Sequence, residues 1–482
     1  MNKLRVLYIL HHFPQISETY IRSELEALSD ECEIRIVSLS EADYAYQNHL
    51  PFDLTDDPVE IERIIDEFQP DVLHSHWLQQ ARILAWFAGY FESRKPSIPF
   101  TLRSHSFDVL EQDGAFIRQA APVINSDLCL GVLGFPFARP YLEKGGVSPF
   151  KIHDCFPVVN LRRFYDESPN GNAVMNVGAC LPKKQMEDYL ELASSHPARE
   201  FDLYALGYQK AEMTRLNAAQ GNPVRIVAPI QPEDMGREYK RHEWLVYTAS
   251  RKMNSVGWPL AVAEAQAAGV GVCLPNIRPD LREYLGGAGF LYDSIGEVNE
   301  LLRQPFPNEL RQQGFSQARR SDIWQHKSIL TNLWVQVRSP TAAWRKAAPD
   351  GNNADPWGAG PTILEKRERL RRIRDELSRL IPAGSTFILV DEEALGRDII
   401  SGRIVRPFLE RDGQYWGPPE NDEAAVREVE RQRQDGAHYM AFAWPAFWWL
   451  DHYAGLQRHM HSNFPRLIEN ERLVVFDLRN AK

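Results

Sequence analysis

Positive charge is in short supply: 55 Lys and Arg stand against 65 Asp and Glu, a formal net charge of −10 over 482 residues. That balance argues against a nucleic-acid groove and a strongly polybasic membrane surface, while leaving room for a small basic pocket. Cysteine is scarce as well. The five present (Cys32, Cys129, Cys155, Cys180, Cys273) are odd in number, scattered and without a CxxC pair. This excludes a disulfide framework and a zinc site of that kind, and fits a reducing compartment. Long apolar runs are missing, none approaching the roughly 18 residues of a membrane span. The amino-terminal run from Val6 to Leu10 is cut off by two histidines and a proline, too short for a signal peptide, and reads as a buried first strand. No short-period repeat, low-complexity tract or DxD-like acidic pair at a strand end occurs. The expectation is a soluble, cytoplasmic protein of two or three domains with real cores, peripheral membrane contact staying open.

What is present is alternation. Strand patterns at 5–10, 33–38, 71–74 and 100–103 are separated by helix patterns at 17–28, 59–68 and 79–91, the first opened by Ser17. Strands joined by such helices make a mainly parallel sheet wrapped on both faces, with ligands gathering at the carboxyl ends of the strands. His11 and His12, His74 and His76, and His105 with Asp108 fall after the first, third and fourth strands. A second block has strands at 173–178, 201–206, 225–229, 244–248, 270–274 and 289–291. Its helices lie at 186–194 and 211–219, and a long one at 313–337 closes it. Two doubly wound domains in series leave a cleft between them. Residues 339–361, rich in Pro, Gly, Ala and Asn, read as a linker. A charged helix at 362–380 follows, then a third alternating unit from 386 to the end, with strands at 387–390, 403–407, 439–443 and 473–476 and helices at 423–434 and 447–459.

The stretch NSVGWPLAVAEAQAAG (254–269) reads as a loop and a slim, Ala-rich helix started by Pro259 at its first position, with Glu264 less than two turns in. The free N–H groups after Pro259 suit phosphate. By itself the same pattern also describes an ordinary core helix.

Four stretches carry a resemblance: HHFPQISETYIRSELEAL (11–28), LRSHSFDVL (102–110), NVGACLPKKQMEDYLELA (176–193) and VGWPLAVAEAQAAG (256–269). In order and spacing they are similar to the family 4 glycosyltransferases, bacterial exopolysaccharide enzymes among them, over roughly residues 1 to 338. The resemblance implies the α/β GT-B fold, two Rossmann-like domains facing across a cleft. It assigns 1–160 as the acceptor-side domain, 161–338 as the nucleotide-sugar domain, 339–361 as the linker and 362–482 as an additional α/β domain.

It implies a retaining, metal-independent transfer of a sugar from a nucleotide-sugar donor to a glycan or lipid-linked acceptor in polysaccharide biosynthesis, with no cofactor. Lys184 would contact the donor diphosphate, and Glu264 would take the ribose hydroxyls as a carboxylate acceptor. His105 would stand near the sugar at the reaction centre. Ser17 and Ile16 would offer backbone N–H groups, and Gly257, Pro259 and Leu260 would line the donor. Each has a plainer reading: Lys184 as a solvated pair with Lys183, Glu264 as a helix-surface acid, His105 as a strand-end cap.

The chain departs from the family pattern at three places. Val256 stands where a first glutamate is expected, eight residues before Glu264; Ala179 stands for an arginine and Gln185 for a glycine. Losing a charged partner of the transition state costs about 2–4 kcal/mol if nothing substitutes; Arg251, Lys252, Arg278 and Arg282 are the nearby candidates. The alternative expectation is therefore a non-catalytic GT-B protein that binds a nucleotide, a glycan or a partner. In 362–482, the run AWPAFWWLDHY reads as a core cluster or as a glycan platform, and a final domain that modifies the sugar is a further reading. Helix 79–91, with Trp86, Phe87, Tyr90 and Phe91 near Arg94 and Lys95, reads as a core helix or a membrane contact.

Overall fold

Val6, Leu7, Tyr8, Ile9 and Leu10 are all sealed from water. A strand apolar on both faces is what a parallel sheet covered by helices on each side requires. The computed structural model describes residues 3–90, 96–207, 209–253, 255–338, 363–392, 395, 399–400, 402–411, 414–415 and 417–479. The chain divides into two compact units, Met1–Gly358 and Ala359–Lys482.

The first unit holds two parallel sheets. One contains β1 (Leu4–His12), β2 (Cys32–Ser40), β3 (Asp53–Leu54), β4 (Val72–His76), β5 (Phe100–Arg103), β6 (Cys129–Gly134) and β7 (Ile152–Asp154). Their order is β3-β2-β1-β4-β5-β6-β7. The other contains β8 (Ala173–Ala179), β9 (Phe201–Leu206), β10 (Arg225–Ile226), β11 (His242–Val246), β12 (Gly271–Pro275) and β13 (Phe290–Tyr292), in the order β10-β9-β8-β11-β12-β13. Strand order reverses between β1 and β4 in the first sheet and between β8 and β11 in the second. Crevices at the carboxyl ends of such pairs are where doubly wound sheets bind ligands.

Several boundaries differ from the sequence reading. β1 and β4 run on through His11, His12, His74 and His76, so these four lie within strands rather than after them. The first helix is Thr19–Leu28 with Glu18 at its cap, so Ser17 does not open it. Helix 79–91 shrinks to a 3-10 turn and Ala81–Ala88, ended by Gly89 in the left-handed region at φ 83°. Its Leu84, Ala85, Phe87 and Ala88 are fully buried, which makes it a core helix; Phe91, Arg94 and Lys95 lie outside the described residues. Helix 313–337 is two helices, Asn308–Ala318 and Ile323–Val335, because the extended Asp322 caps the second through its side chain.

The chain crosses between the two sheets twice, and the crossings are bonded to each other. The Val159 N–H donates to Ser321 O (2.8 Å) and the Ile323 N–H donates to Val159 O (3.0 Å). The second crossing brings Trp334 back under the first sheet, where its indole N–H reaches Thr101 Oγ1 at 2.9 Å.

In the second unit, β14 (Thr386–Val390), β15 (Ile404–Pro407), β18 (Tyr439–Ala443), β19 (Arg466–Glu469) and β20 (Leu473–Asp477) form a mixed sheet, ordered β15-β14-β18-β20-β19. A short ribbon pairs β16 (Glu410–Arg411) with β17 (Gln414–Tyr415). The last two strands of the sheet run antiparallel, so alternation stops before the end of the chain. Helix 447–459 is broken into Trp448–His452 and Ala454–Asn463. Of the aromatic run, Trp449 and Tyr453 lie in the core while Trp448 stays 41% exposed. The expected linker 339–361 lies outside the described residues. Among the described residues no helix is long and apolar enough to cross a membrane.

Candidate functional site

Two adjoining chambers occupy the cleft of the first unit. The larger, about 310 Å³, lies against β8, β9 and the helix Leu260–Ala267; the smaller, about 220 Å³, lies between the ends of β5 and β11. Val158, Lys184, Tyr247, Pro259 and Leu260 line both.

Lys184 is placed by a 3-10 turn, Pro182–Lys184, that follows β8, and the turn is closed by Gln185 at φ 45°, ψ 53°. That left-handed conformation favours glycine at this position; here the Gln185 side chain reaches back to the Asp188 carboxylate at 2.9 Å. The Lys184 ammonium stands 4.3 Å above the Tyr247 ring and forms no ion pair among the described residues. Burial, with the charge of Lys183 beside it, pushes its pKa down to about 7. Lys183 differs: it is bonded to Glu111 at 2.9 Å, across the cleft.

Glu264 is 9% exposed in the larger chamber. Oε2 accepts the Tyr239 phenol at 2.7 Å. Burial raises its pKa to about 7, against the opposing pull of Tyr239 and Arg163. Pro259 sits at the N-cap in extended conformation (ψ 132°), one place earlier than the sequence reading, and the helix starts at Leu260 with no side-chain cap. The first-turn N–H groups therefore face the chambers without a side-chain partner. Gly257 lines the smaller chamber, and a Cβ there would lie 1.5 Å from Ser106 Oγ, so close packing demands the glycine. Ser17 lines the larger chamber. The Ile16 N–H does not serve a ligand, because it donates to Tyr44 O at 2.8 Å. Asn254 lies outside the described residues.

His105 lines the smaller chamber with both ring nitrogens engaged. Nε2 lies 3.1 Å from His76 Nδ1, and the other nitrogen accepts the Asp108 N–H in a reciprocal cap. His76 Nε2 in turn lies 3.3 Å from Glu24 Oε1. A carboxylate only accepts, so each imidazole carries its proton on Nε2. Burial is the first cause that pushes His105 well below the usual histidine range, which keeps it neutral. Burial alone would raise Glu24; Arg103 and His76 overcome it and hold the carboxyl well below its ordinary value. Glu24, His74 and His76 bring three ligating atoms within 4.8 Å of one another, a geometry open to a metal ion. Arg103 and the Tyr8 phenol already bond that carboxylate.

Of the residues expected to replace the missing charges, none lines either chamber. Arg278 instead holds the Val256 carbonyl and the Asp280 carboxylate, and Arg251 holds Tyr292 O at 3.1 Å. Val256 is buried in the wall of the smaller chamber, and Ala179 lines the larger. Sequence reasoning missed Tyr247, which stands directly after β11 at the point where strand order reverses. A tyrosine closing a strand was the available signal.

No protein-family model matches the chain, and no curated protein matches it. Solved structures do. Sucrose-phosphate synthase from Thermosynechococcus elongatus is 15% identical, covering 70% of this chain and 99% of its own, with a TM-score of 0.54. HepE from Anabaena, solved with UDP, is 14% identical over 68% of this chain and 99% of its own, TM-score 0.55. Its complex with UDP-glucose gives 13%, 69%, 98% and 0.51. At these identities the likeness shows the fold, which is GT-B.

Proposed function

We propose that this chain is a retaining glycosyltransferase related to family 4, moving a sugar from a nucleotide-sugar donor to a glycan or lipid-linked acceptor in polysaccharide assembly. The observation that carries the reading is Lys184, a cation without an ion-pair partner among the described residues, at the junction of two chambers of which one holds the Glu264 carboxylate. The nucleoside lies in the larger chamber with its ribose diol on Glu264. The diphosphate lies at the junction and the glycosyl unit in the smaller chamber. HepE, a neighbour in fold, was crystallised with UDP and UDP-glucose, which favours a nucleotide sugar as donor.

In the reaction the bond between the anomeric carbon and the β-phosphate oxygen breaks, and its electron pair stays on that oxygen. Lys184 and the first N–H groups of the helix Leu260–Ala267 stabilise the charge gathering there. The acceptor hydroxyl attacks the same face, and its proton passes to the departing phosphate. His105 contributes a neutral ring wall, since neither nitrogen is open to a hydroxyl. No step here calls on a metal ion. Lys184, Gly257, Pro259, Leu260 and Glu264 fall in 161–338 and Ser17 and His105 in 1–160, and the work is assigned to the cytoplasmic side of a membrane when the acceptor is lipid-linked.

A second reading has its own observation: Ala179, Val256 and the engaged His105 nitrogens leave few groups that act on the sugar. A non-catalytic GT-B protein would bind a nucleotide and not turn it over. Incubation with UDP-, GDP-, ADP-, CMP- and dTDP-sugars, with nucleotide release measured beside nucleotide binding, separates the two. Release supports the enzyme; binding without release supports the second reading, and neither removes both.

A further inference from the structure

The smaller chamber has an uneven polar inventory. Among the described residues no carboxylate lines it. Its cations are Arg103, Lys183 and Lys184. Arg103 is engaged with Glu24 and Lys183 with Glu111. The rest of the wall sets the neutral hydroxyls of Ser106, Ser255 and Tyr20 among Trp77, Phe107, Phe135, Trp258 and Val256. The Tyr247 hydroxyl is buried and has no hydrogen-bond partner among the described residues.

Tyr247 is rigidly placed. It is 2% exposed, its N–H donates to Cys273 O at 2.9 Å, and its carbonyl accepts the Tyr292 phenol at 2.8 Å. Buried hydroxyls are nearly always paired, so an orphan in the wall of a cavity marks a place for an acceptor. The chamber thus offers donors, a phenol O–H beside an ammonium, and no charged acceptor. His105 adds none, because both its nitrogens are engaged.

A plain hexose brings hydroxyl protons that need acceptors once water is excluded, and here they meet only neutral hydroxyls and no carboxylate. A carbonyl or carboxylate oxygen on the sugar brings acceptors without protons and meets the donor surplus. We infer that the smaller chamber selects a donor whose sugar carries an sp2 oxygen acceptor, an acetamido or uronosyl group, with Tyr247 as its hydrogen-bond donor and Val256 as the wall that refuses free hydroxyls. This rests on the donor placement proposed above.

The test compares donors that differ in that substituent alone. For a uridine enzyme these are UDP-glucose, UDP-N-acetylglucosamine and UDP-glucuronate; for a guanosine enzyme, GDP-mannose and GDP-mannuronate. The acetamido or uronosyl donor is expected to exceed the plain hexose at least tenfold in kcat/KM, and the two arms of the uridine series tell amide from acid. Tyr247→Phe, which removes one oxygen and keeps the ring under Lys184, should reduce that ratio at least fivefold. Val256→Glu should move it towards the plain hexose. A plain hexose used as well as its substituted counterparts overturns the inference while leaving the glycosyltransferase reading intact. An unchanged ratio in Tyr247→Phe overturns the role given to Tyr247. Absence of turnover and of binding across the wider panel removes the donor placement, and this inference with it.

Discussion

Gly257 and Ser106 touch across the cleft so closely that a single added carbon at 257 would fall 1.5 Å from the serine oxygen. One belongs to the loop before the helix Leu260–Ala267, the other to the first turn after β5. Their contact sets how near the two sheets come, and with it the width of the smaller chamber.

Gly257→Ala is therefore expected to hold the cleft ajar and destabilise the first unit by about 1–3 kcal/mol, the usual range for overpacking. Ser106→Gly makes room for the new methyl group and should recover most of the loss. A double-mutant cycle by denaturant unfolding reads the coupling between the two sites. Additive effects would mean that the contact is not what limits closure.

Lys184→Ala and Glu264→Ala should each lower turnover at least tenfold and leave the unfolding transition cooperative. For Lys184 the melting temperature should hold or rise, since a part-buried cation without an ion-pair partner among the described residues is relieved. A variant that melts earlier and keeps full activity would mark the lysine as structural.

Glu264 and Lys184 give opposite pH dependences that meet near neutrality. A carboxyl raised from 4.5 to about 7 binds its proton more readily folded than unfolded, so its contribution to stability falls as pH rises from about 4.5 to 7. An ammonium lowered from 10.5 to about 7 binds its proton less readily folded, so stability recovers as pH rises from about 7 to 10.5. Each contribution is read as a difference: the melting temperature of Glu264→Gln relative to the native chain should rise from pH 4.5 to 7, and that of Lys184→Met relative to the native chain should fall from pH 7 to 10.5. Nucleotide diphosphate placed beside Lys184 raises its pKa, so binding above pH 7 takes up a proton. Calorimetry in two buffers of different ionisation enthalpy measures that uptake, and Lys184→Met should abolish it.

The Glu24 cluster predicts acid lability in the first unit. Glu24 is held below 4.5, while His74 falls below 6.5 and His76 to about 4, so in each case the unfolded chain binds protons first as pH drops. The cluster's contribution to stability is fully present above about pH 6.5 and is lost progressively below it, opposing the gain from Glu264 over the same range. Glu24→Gln leaves the buried Arg103 without its counter-charge, at about 3–5 kcal/mol. Melting temperatures from pH 7.5 to 5 in the Glu264→Gln chain, where the opposing gain from Glu264 is removed, check both statements; a flat profile there would remove the cluster's role.

Alternation made the two parallel sheets legible, and the strands Phe100–Arg103, Phe201–Leu206 and Tyr439–Ala443 have the bounds that the residues implied. The strands Cys129–Gly134 and Ile152–Asp154 left little trace, one carrying two glycines and the other only three residues long. The two-residue strand Asp53–Leu54 left less. Asp322, an acidic residue directly before an apolar run, is a cap signal that a continuous helix reading passed over. Lys184 and Glu264 were legible because each lies in a local motif. The chain of contacts from Glu24 through His76 to His105 was not: it joins a helix, a strand and the cap that follows the neighbouring strand, and no spacing within one segment records which strands become neighbours.

The paired crossings at Val159 and Ser321–Ile323 behave as a single pin. Two links bonded to each other are expected to restrict the directions in which the lobes can part, so that a ligand held between them gives up less orientational entropy than it would across two independent hinges. Substitutions at that pin are expected to change how fast the lobes part, and hence how fast product escapes, ahead of how tightly anything binds.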